Sequence, residues 1–390
     1  MRQAGFSRRP ASVFCLSGRM SDYFEGFMGK IFRAGIDFRI AIFIFIFAAI
    51  FSSPLAGQTQ GVDKQVSDAQ SDSKPAPKPG ADLSSADLTP KIMEDFSTPA
   101  LTSATALGSI QSLELQVDDA DPMFTREVVR VLWRPGDPID LYIVKPTGVK
   151  KPPVILYLFD YPTETDPYHD SKFCRLLTKE GFAAVGFVPA LTGQRYHDRP
   201  MKEWFVSELR ESLATSAHDV QMILNYLSTR GDVDMDRVGM FGDGSGATIA
   251  ILVAAVDARV KTLDLVDPWG DWPDWIAKST RIPQKERPDF LKPEWLAAVT
   301  PLDPVKWLPD LKTRKVRIQF VKTVGITPFE AQQKMEATAP VNAQIVHYDD
   351  SGAFASSNSG GKGFDWIKQQ MQAGTVQQYR AASEKKNSQQ

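Results

Sequence analysis

Between Val238 and Val256 an apolar run breaks at Gly242-Asp243-Gly244-Ser245-Gly246 and resumes at Ala247. Three glycines in five residues remove the side chains that would otherwise keep a chain from bending sharply. Val238 to Phe241 has the length and composition of a buried strand, and Ala247 to Val256 that of a buried helix. The chain must therefore turn abruptly from a strand into a helix. That commits it to an architecture of packed strand–turn–helix units.

The surrounding sequence repeats the alternation. Glu127 to Trp133 and Ile139 to Val144 read as a leading antiparallel pair, and Val154 to Phe159 as a central strand covered on both faces. A helix over Lys172 to Glu180, a strand over Ala183 to Val188 and a long helix from about Glu203 to Ser228 precede the turn. After it come strands at Val260 to Val266, Lys315 to Val321 and Ala343 to Tyr348, a helix near Phe329 to Ala337, and a terminal helix. The fold class is α/β, with a mainly parallel central sheet flanked by helices.

From about residue 125 to 370 the chain resembles the α/β-hydrolase superfamily, nearest to its acetyl-xylan-esterase, dienelactone-hydrolase and prolyl-oligopeptidase side. Asn225 to Gly239 is similar to the helix-to-strand approach of those enzymes, and Gly242 to Gly246 to their G-x-S-x-G elbow. The resemblance implies a serine at the centre of the elbow, an acid after a late strand and a histidine after the last one. Here Gly244 holds the central position, and Ala353, in Tyr348-Asp349-Asp350-Ser351-Gly352-Ala353-Phe354, holds the histidine position. Where relatives often carry His-Gly after the central strand, this chain has Phe159-Asp160-Tyr161-Pro162, and a carboxylate there repels an oxyanion.

A shift of one residue offers Ser245 as an alternative nucleophile, with Asp243 then in a small-residue position and Asp267 as an alternative acid. His347 lies earlier, on the last strand itself. Three functional readings follow. The first is a catalytically inactive pseudo-hydrolase that binds an unknown small molecule or protein partner in the former cleft, through Asp160, Tyr161, Asp243, Trp269 and Trp272. The second is an active serine carboxylesterase or peptidase using Ser245 with a non-standard triad. An envelope docking module with a vestigial cleft is a third. Trp269, Trp272, Trp275, Trp295 and Trp307 form a cap-like insertion, whose rings either stack on a ligand or pack the cap onto the sheet. Asp160, Asp243 and Asp267 together suggest an acidic mouth suited to a cationic or hydroxyl-rich ligand. The loop Gly193 to Arg199 is a candidate second wall.

Composition narrows the partners. With 45 basic and 47 acidic residues the net charge is −2, which gives no footprint for nucleic acid. The four histidines show no metal-ligand spacing, and no metal or cofactor is expected. His218 and Asp219 on the long helix read as structural. Cys15 lies in the leader and Cys174 in a helical pattern, where a buried structural thiol is expected.

Lys30, Arg33 and Arg39 precede the apolar run Ile40 to Phe51, and small residues follow at Ser52 to Gly57. Residues 1–57 therefore read as leader and signal peptide, which places the protein in the periplasm or outside the cell. Membrane contact is expected only through this segment, if it stays uncleaved. Residues 58–104 are rich in Ser, Asp, Ala and Pro and read as a disordered linker, 105–375 as the hydrolase-like domain, and 376–390 as a disordered tail.

Overall fold

Every residue of Pro153–Leu158 and of Ala183–Phe187 is buried, the pattern of strands covered on both faces. In the computed structural model, which describes residues 94–101, 110–134, 136–161, 165–190, 195, 205–322 and 326–372, they lie in the middle of a nine-stranded sheet. The strands are β1 Gln111–Asp118, β2 Phe124–Leu132, β3 Ile139–Pro146, β4 Pro153–Leu158, β5 Ala183–Phe187, β6 Asp234–Asp243, β7 Val260–Val266, β8 Lys315–Val321 and β9 Gln344–Tyr348. Their order is β1-β2-β3-β5-β4-β6-β7-β8-β9, antiparallel from β1 to β5 and parallel from β5 to β9. The fold is α/β as the sequence implies. Edge strand β1 is an addition to that reading, and its pairing with β2 slips between Glu114 and Gln116.

The helices are α1 Ser171–Thr178, α2 Leu209–Arg230, α3 Ser245–Val256, α4 Trp272–Lys278, α5 Arg287–Phe290, α6 Pro293–Val299, α7 Pro304–Trp307, α8 Phe329–Thr338 and α9 Ser351–Asn358. Ten consecutive residues of α3, Ser245 to Ala254, are buried, so this helix packs on all sides rather than along one stripe. Strand order reverses around β4, since the chain leaves it for β5 on one side and returns to β6 on the other. Ligand crevices of open α/β sheets form outside the carboxyl ends of strands at such a switch point. The turns after β4 and β6 both lie there.

Residues 94–101, placed in the linker by composition, carry hydrogen bonds to α2. His218 bonds the Glu94 carboxylate at 2.9 Å and the Thr98 carbonyl at 3.0 Å, and the Leu101 N–H donates to Gln221 Oε1 at 3.2 Å. Arg134 donates to Glu94 (2.8 Å), Asp137 (2.6 Å) and Asp219 (3.1 Å), and Arg195 to Asp137 (2.9 Å) and Asp219 (2.8 Å). Burial raises the Glu94 pKa, but the hydrogen bonds from His218 and Arg134 outweigh it and hold the group down to about 2. His218 and Asp219 thus have the structural role read from the sequence. Arg195, in the candidate wall loop, is buried in this network, and the rest of that loop lies outside the described residues. So do the leader, residues 1–57, and the tail, residues 376–390.

Helical residues 365–372 cover one sheet face and carry Lys368, which is 2% exposed and donates to the Leu176 carbonyl at 2.9 Å. Burial pushes its pKa down to about 8. Below that pH the folded protein must hold a buried charge. Between about pH 8 and the ordinary lysine value of ~10.4, the unfolded chain keeps a proton that the folded chain has released, so stability rises with pH. Lys368→Met is expected to stabilise the protein at pH 7 by about 1–2 kcal/mol. Urea melts should show that advantage shrinking as pH climbs through this window; a constant difference refutes the coupling.

Candidate functional site

Gly244 connects β6 to α3 with φ 55° and ψ −117°, a backbone that side-chain-bearing residues rarely adopt. The flanking glycines are required by contact. A Cβ on Gly242 would lie 2.5 Å from Ala247 Cα, and one on Gly246 would lie 2.1 Å from the Leu158 carbonyl oxygen. The Gly244 N–H donates to Val266 O at 2.9 Å, pinning the turn to the end of β7. The sharp strand-to-helix bend expected from three glycines is present.

Asp160, which follows β4, reaches into this bend. Its Oδ1 accepts from the Ser245 backbone N–H at 2.9 Å and from the Ser245 hydroxyl at 3.2 Å. The Ser245 hydroxyl in turn accepts from the Tyr161 N–H at 2.9 Å. Oδ2 is paired with Arg281, whose guanidinium carbon lies 5.7 Å from the Trp269 ring centroid. A carboxylate at the first turn of a helix is favoured by the oriented N–H groups there, and Arg281 compensates the remaining charge. A Cβ on Gly244 would lie 2.1 Å from Asp160 Oδ1 and 2.3 Å from its carbon. The carboxylate fills the volume that a side chain at the tip of the bend would use.

The dienelactone hydrolase family matches residues 139–265, which run from β3 to the end of β7. An acetyl xylan esterase from Paenibacillus sp. superposes with a TM-score of 0.50 at 15% identity, over 62% of this chain and 83% of that one. Acetyl xylan esterase 1 from Thermoanaerobacterium sp. superposes with a TM-score of 0.50 at 16% identity, over 62% of this chain and 81% of that one. This chain has the α/β-hydrolase fold. No curated protein matches it. In an α/β-hydrolase the N–H after the nucleophile and one from the loop after an earlier strand form the oxyanion hole. The corresponding N–H groups here, of Ser245 and Tyr161, are taken by Asp160 and by the Ser245 hydroxyl.

Other sequence-predicted groups of the hydrolase site each have partners within the protein. Ser245, the alternative nucleophile, is 2% exposed, and its hydroxyl both donates and accepts within the protein. Asp267, the alternative acid, is buried with φ 42°, and its Oδ1 accepts from the Val321 N–H at 2.9 Å, so it ties β7 to β8. Ala353 lies in the first turn of α9, where its N–H donates to Asp350 Oδ1. Of the described histidines, His169 bonds the Tyr142 hydroxyl, His218 holds residues 94–101, and His347 pairs with Glu336 at 2.8 Å while stacking on Phe320. His197 lies outside the described residues.

The expected ligand contacts need correction. Trp269 and Trp272 are 1% and 0% exposed; Trp269 stacks on Trp275 at 4.7 Å, and the Trp272 indole N–H donates to Val299 O. Buried rings present no face to a ligand; both belong to the hydrophobic core. Nor is the mouth simply acidic: Asp160 is neutralised by Arg281 and Asp267 is enclosed. Asp243 and Tyr161 are half-buried beside the bend and remain the candidates for contact with a ligand. Sequence reading missed Arg281. Its partner lies 121 positions away, and no local pattern signals the pair.

Proposed function

We propose that this chain is a catalytically inactive α/β-hydrolase-fold protein that binds a ligand or partner at the former substrate cleft, with Asp243 and Tyr161 at its mouth. The observation that carries the reading is the Asp160 carboxylate, bonded to the Ser245 N–H and filling the space beside Gly244. Ester hydrolysis on this fold needs an activated nucleophile and donors left free for the developing oxyanion. The esterases it resembles are named for that reaction. This chain has no side chain at the nucleophile position and gives a fixed negative charge the hole's first N–H. Loss of a nucleophile or base alone costs roughly 10⁶ in turnover. The leader and linker support export as part of the same proposal.

Fluorophosphonate labelling of the full chain, with Ser245→Ala as control, tests the reading. No labelling is expected from folded protein; labelling abolished in Ser245→Ala overturns the proposal in favour of an active serine hydrolase. Gly244→Ser is expected to restore no ester turnover and to lower stability by about 1–3 kcal/mol, because the new Cβ meets Asp160 in a backbone conformation disfavoured for serine. Hydrolysis of p-nitrophenyl acetate and a urea melt check the two halves separately.

A further inference from the structure

A cavity of about 290 Å³ opens at the opposite rim of the sheet from the bend, lined by Lys315, Val316, Asn342, Gln344, Trp366 and Gln370. Lys315 and Gln344 are the first residues of β8 and β9, so this is the amino end of the parallel strands. Asn342 and Gln344 are two apart at the entry to β9. Trp366 and Gln370 are four apart on helical residues 365–372, a spacing that puts them on one helix face.

The lining has a definite chemistry. Among the described residues it holds three side-chain amides, each with donors and an acceptor, one ammonium and one indole, and no carboxylate. Asn342 donates one of its two amide hydrogens to the Arg314 carbonyl at 3.0 Å, which orients the amide and leaves one hydrogen and the oxygen. Gln370 Oε1 accepts from Lys315 at 3.4 Å, which orients its amide hydrogens the other way. Trp366 is held by the Arg317 guanidinium, 5.1 Å from the ring centroid. Arg317 is itself neutralised by Asp264, and among the described residues Lys315 is the one cation lining the cavity.

We infer that this cavity is a saccharide subsite, in which Trp366 provides the stacking surface for a sugar ring and Asn342, Gln344 and Gln370 hydrogen-bond its hydroxyls. Hydroxyls donate and accept at once, and amides match both roles without favouring a charge. Among the described residues a cationic ligand would find no carboxylate here, and an anion would find a single lysine. The volume lies near the lower limit for ligand pockets, which fits one sugar ring rather than a large cofactor. The site is independent of the bend and of whether the cleft there is active.

Isothermal titration of the full chain with cellotriose, xylotriose and maltotriose, and separately with inorganic phosphate, tests the inference. Saturable binding of at least one trisaccharide is expected. It should weaken at least tenfold in Trp366→Ala and about fivefold in Gln344→Ala, the latter being the loss of one hydrogen bond. Trp366→Ala also frees Arg317, so a melt must show it folded; if it is not, Gln344→Ala/Gln370→Ala, confined to the rim, replaces it and should weaken binding at least tenfold. No saturable binding of any trisaccharide overturns the inference. So does binding unchanged in the folded variants, or binding of phosphate alone through Lys315.

Discussion

Gly246→Ala is expected to destabilise the protein by roughly 3 kcal/mol or more, at or beyond the top of the usual range for overpacking. The added methyl would sit 2.1 Å from the Leu158 carbonyl oxygen and 2.4 Å from its carbon. Both obstacles are backbone atoms, so no side-chain rotation relieves them. Strand β4 and helix α3 would have to separate, and both are buried on every side. Against a total stability of about 5–15 kcal/mol this is a large loss. Gly352→Ala is the control, since its nearest new contact is the Asp350 carboxylate at 3.1 Å. Paired urea melts in which Gly246→Ala costs no more than Gly352→Ala would refute the tight-approach argument.

Arg317→Ala is expected to cost about 3–5 kcal/mol, the penalty for leaving a buried charge without its partner. Asp264 is fully buried opposite Arg317 in the β7–β8 register, and the pair makes two hydrogen bonds at 2.8 and 2.6 Å. Burial raises the Asp264 pKa, and the bonds from Arg317 and Gln319 pull against that rise. Without the cation, burial acts with less opposition and the folded state favours the neutral acid. The sign is then fixed: the variant's deficit relative to wild type should shrink as pH falls towards the carboxylate range and Asp264 takes a proton. The double variant Asp264→Leu/Arg317→Met removes both charges and should recover most of the loss. A deficit that is independent of pH, or a double variant no better than Arg317→Ala, would show that packing rather than charge carries the cost.

The layout of the sheet was legible because its strands are continuous apolar runs. Val260–Val266 and Lys315–Val321 form with the boundaries read from the sequence. Strand β1 was missed, although Leu113, Leu115 and Val117 alternate with Glu114 and Gln116 as in a strand; all three apolar side chains are exposed in the structure. Helix α2 begins at Leu209 rather than near Glu203, because a 3₁₀ turn at Phe205–Glu208 precedes it.

At the site, the missing serine and histidine could be read position by position from the motif. What the sequence could not supply was the state of the groups left behind. Asp160 reads as an exposed repulsive charge until Arg281 and the first turn of α3 are seen around it. Tryptophan residues that bind and those that pack have the same local pattern, and only the burial of Trp269 and Trp272 separates the two.

Asp160 and Gly244 also constrain each other. A serine at position 244 would place its Cβ 2.1 Å from Asp160 Oδ1 as the carboxylate now stands. A shorter residue at 160 empties that space and removes the carboxylate paired with Arg281, yet supplies no nucleophile. The two positions therefore act as a unit: a side chain at 244 is accommodated best when the residue at 160 changes with it.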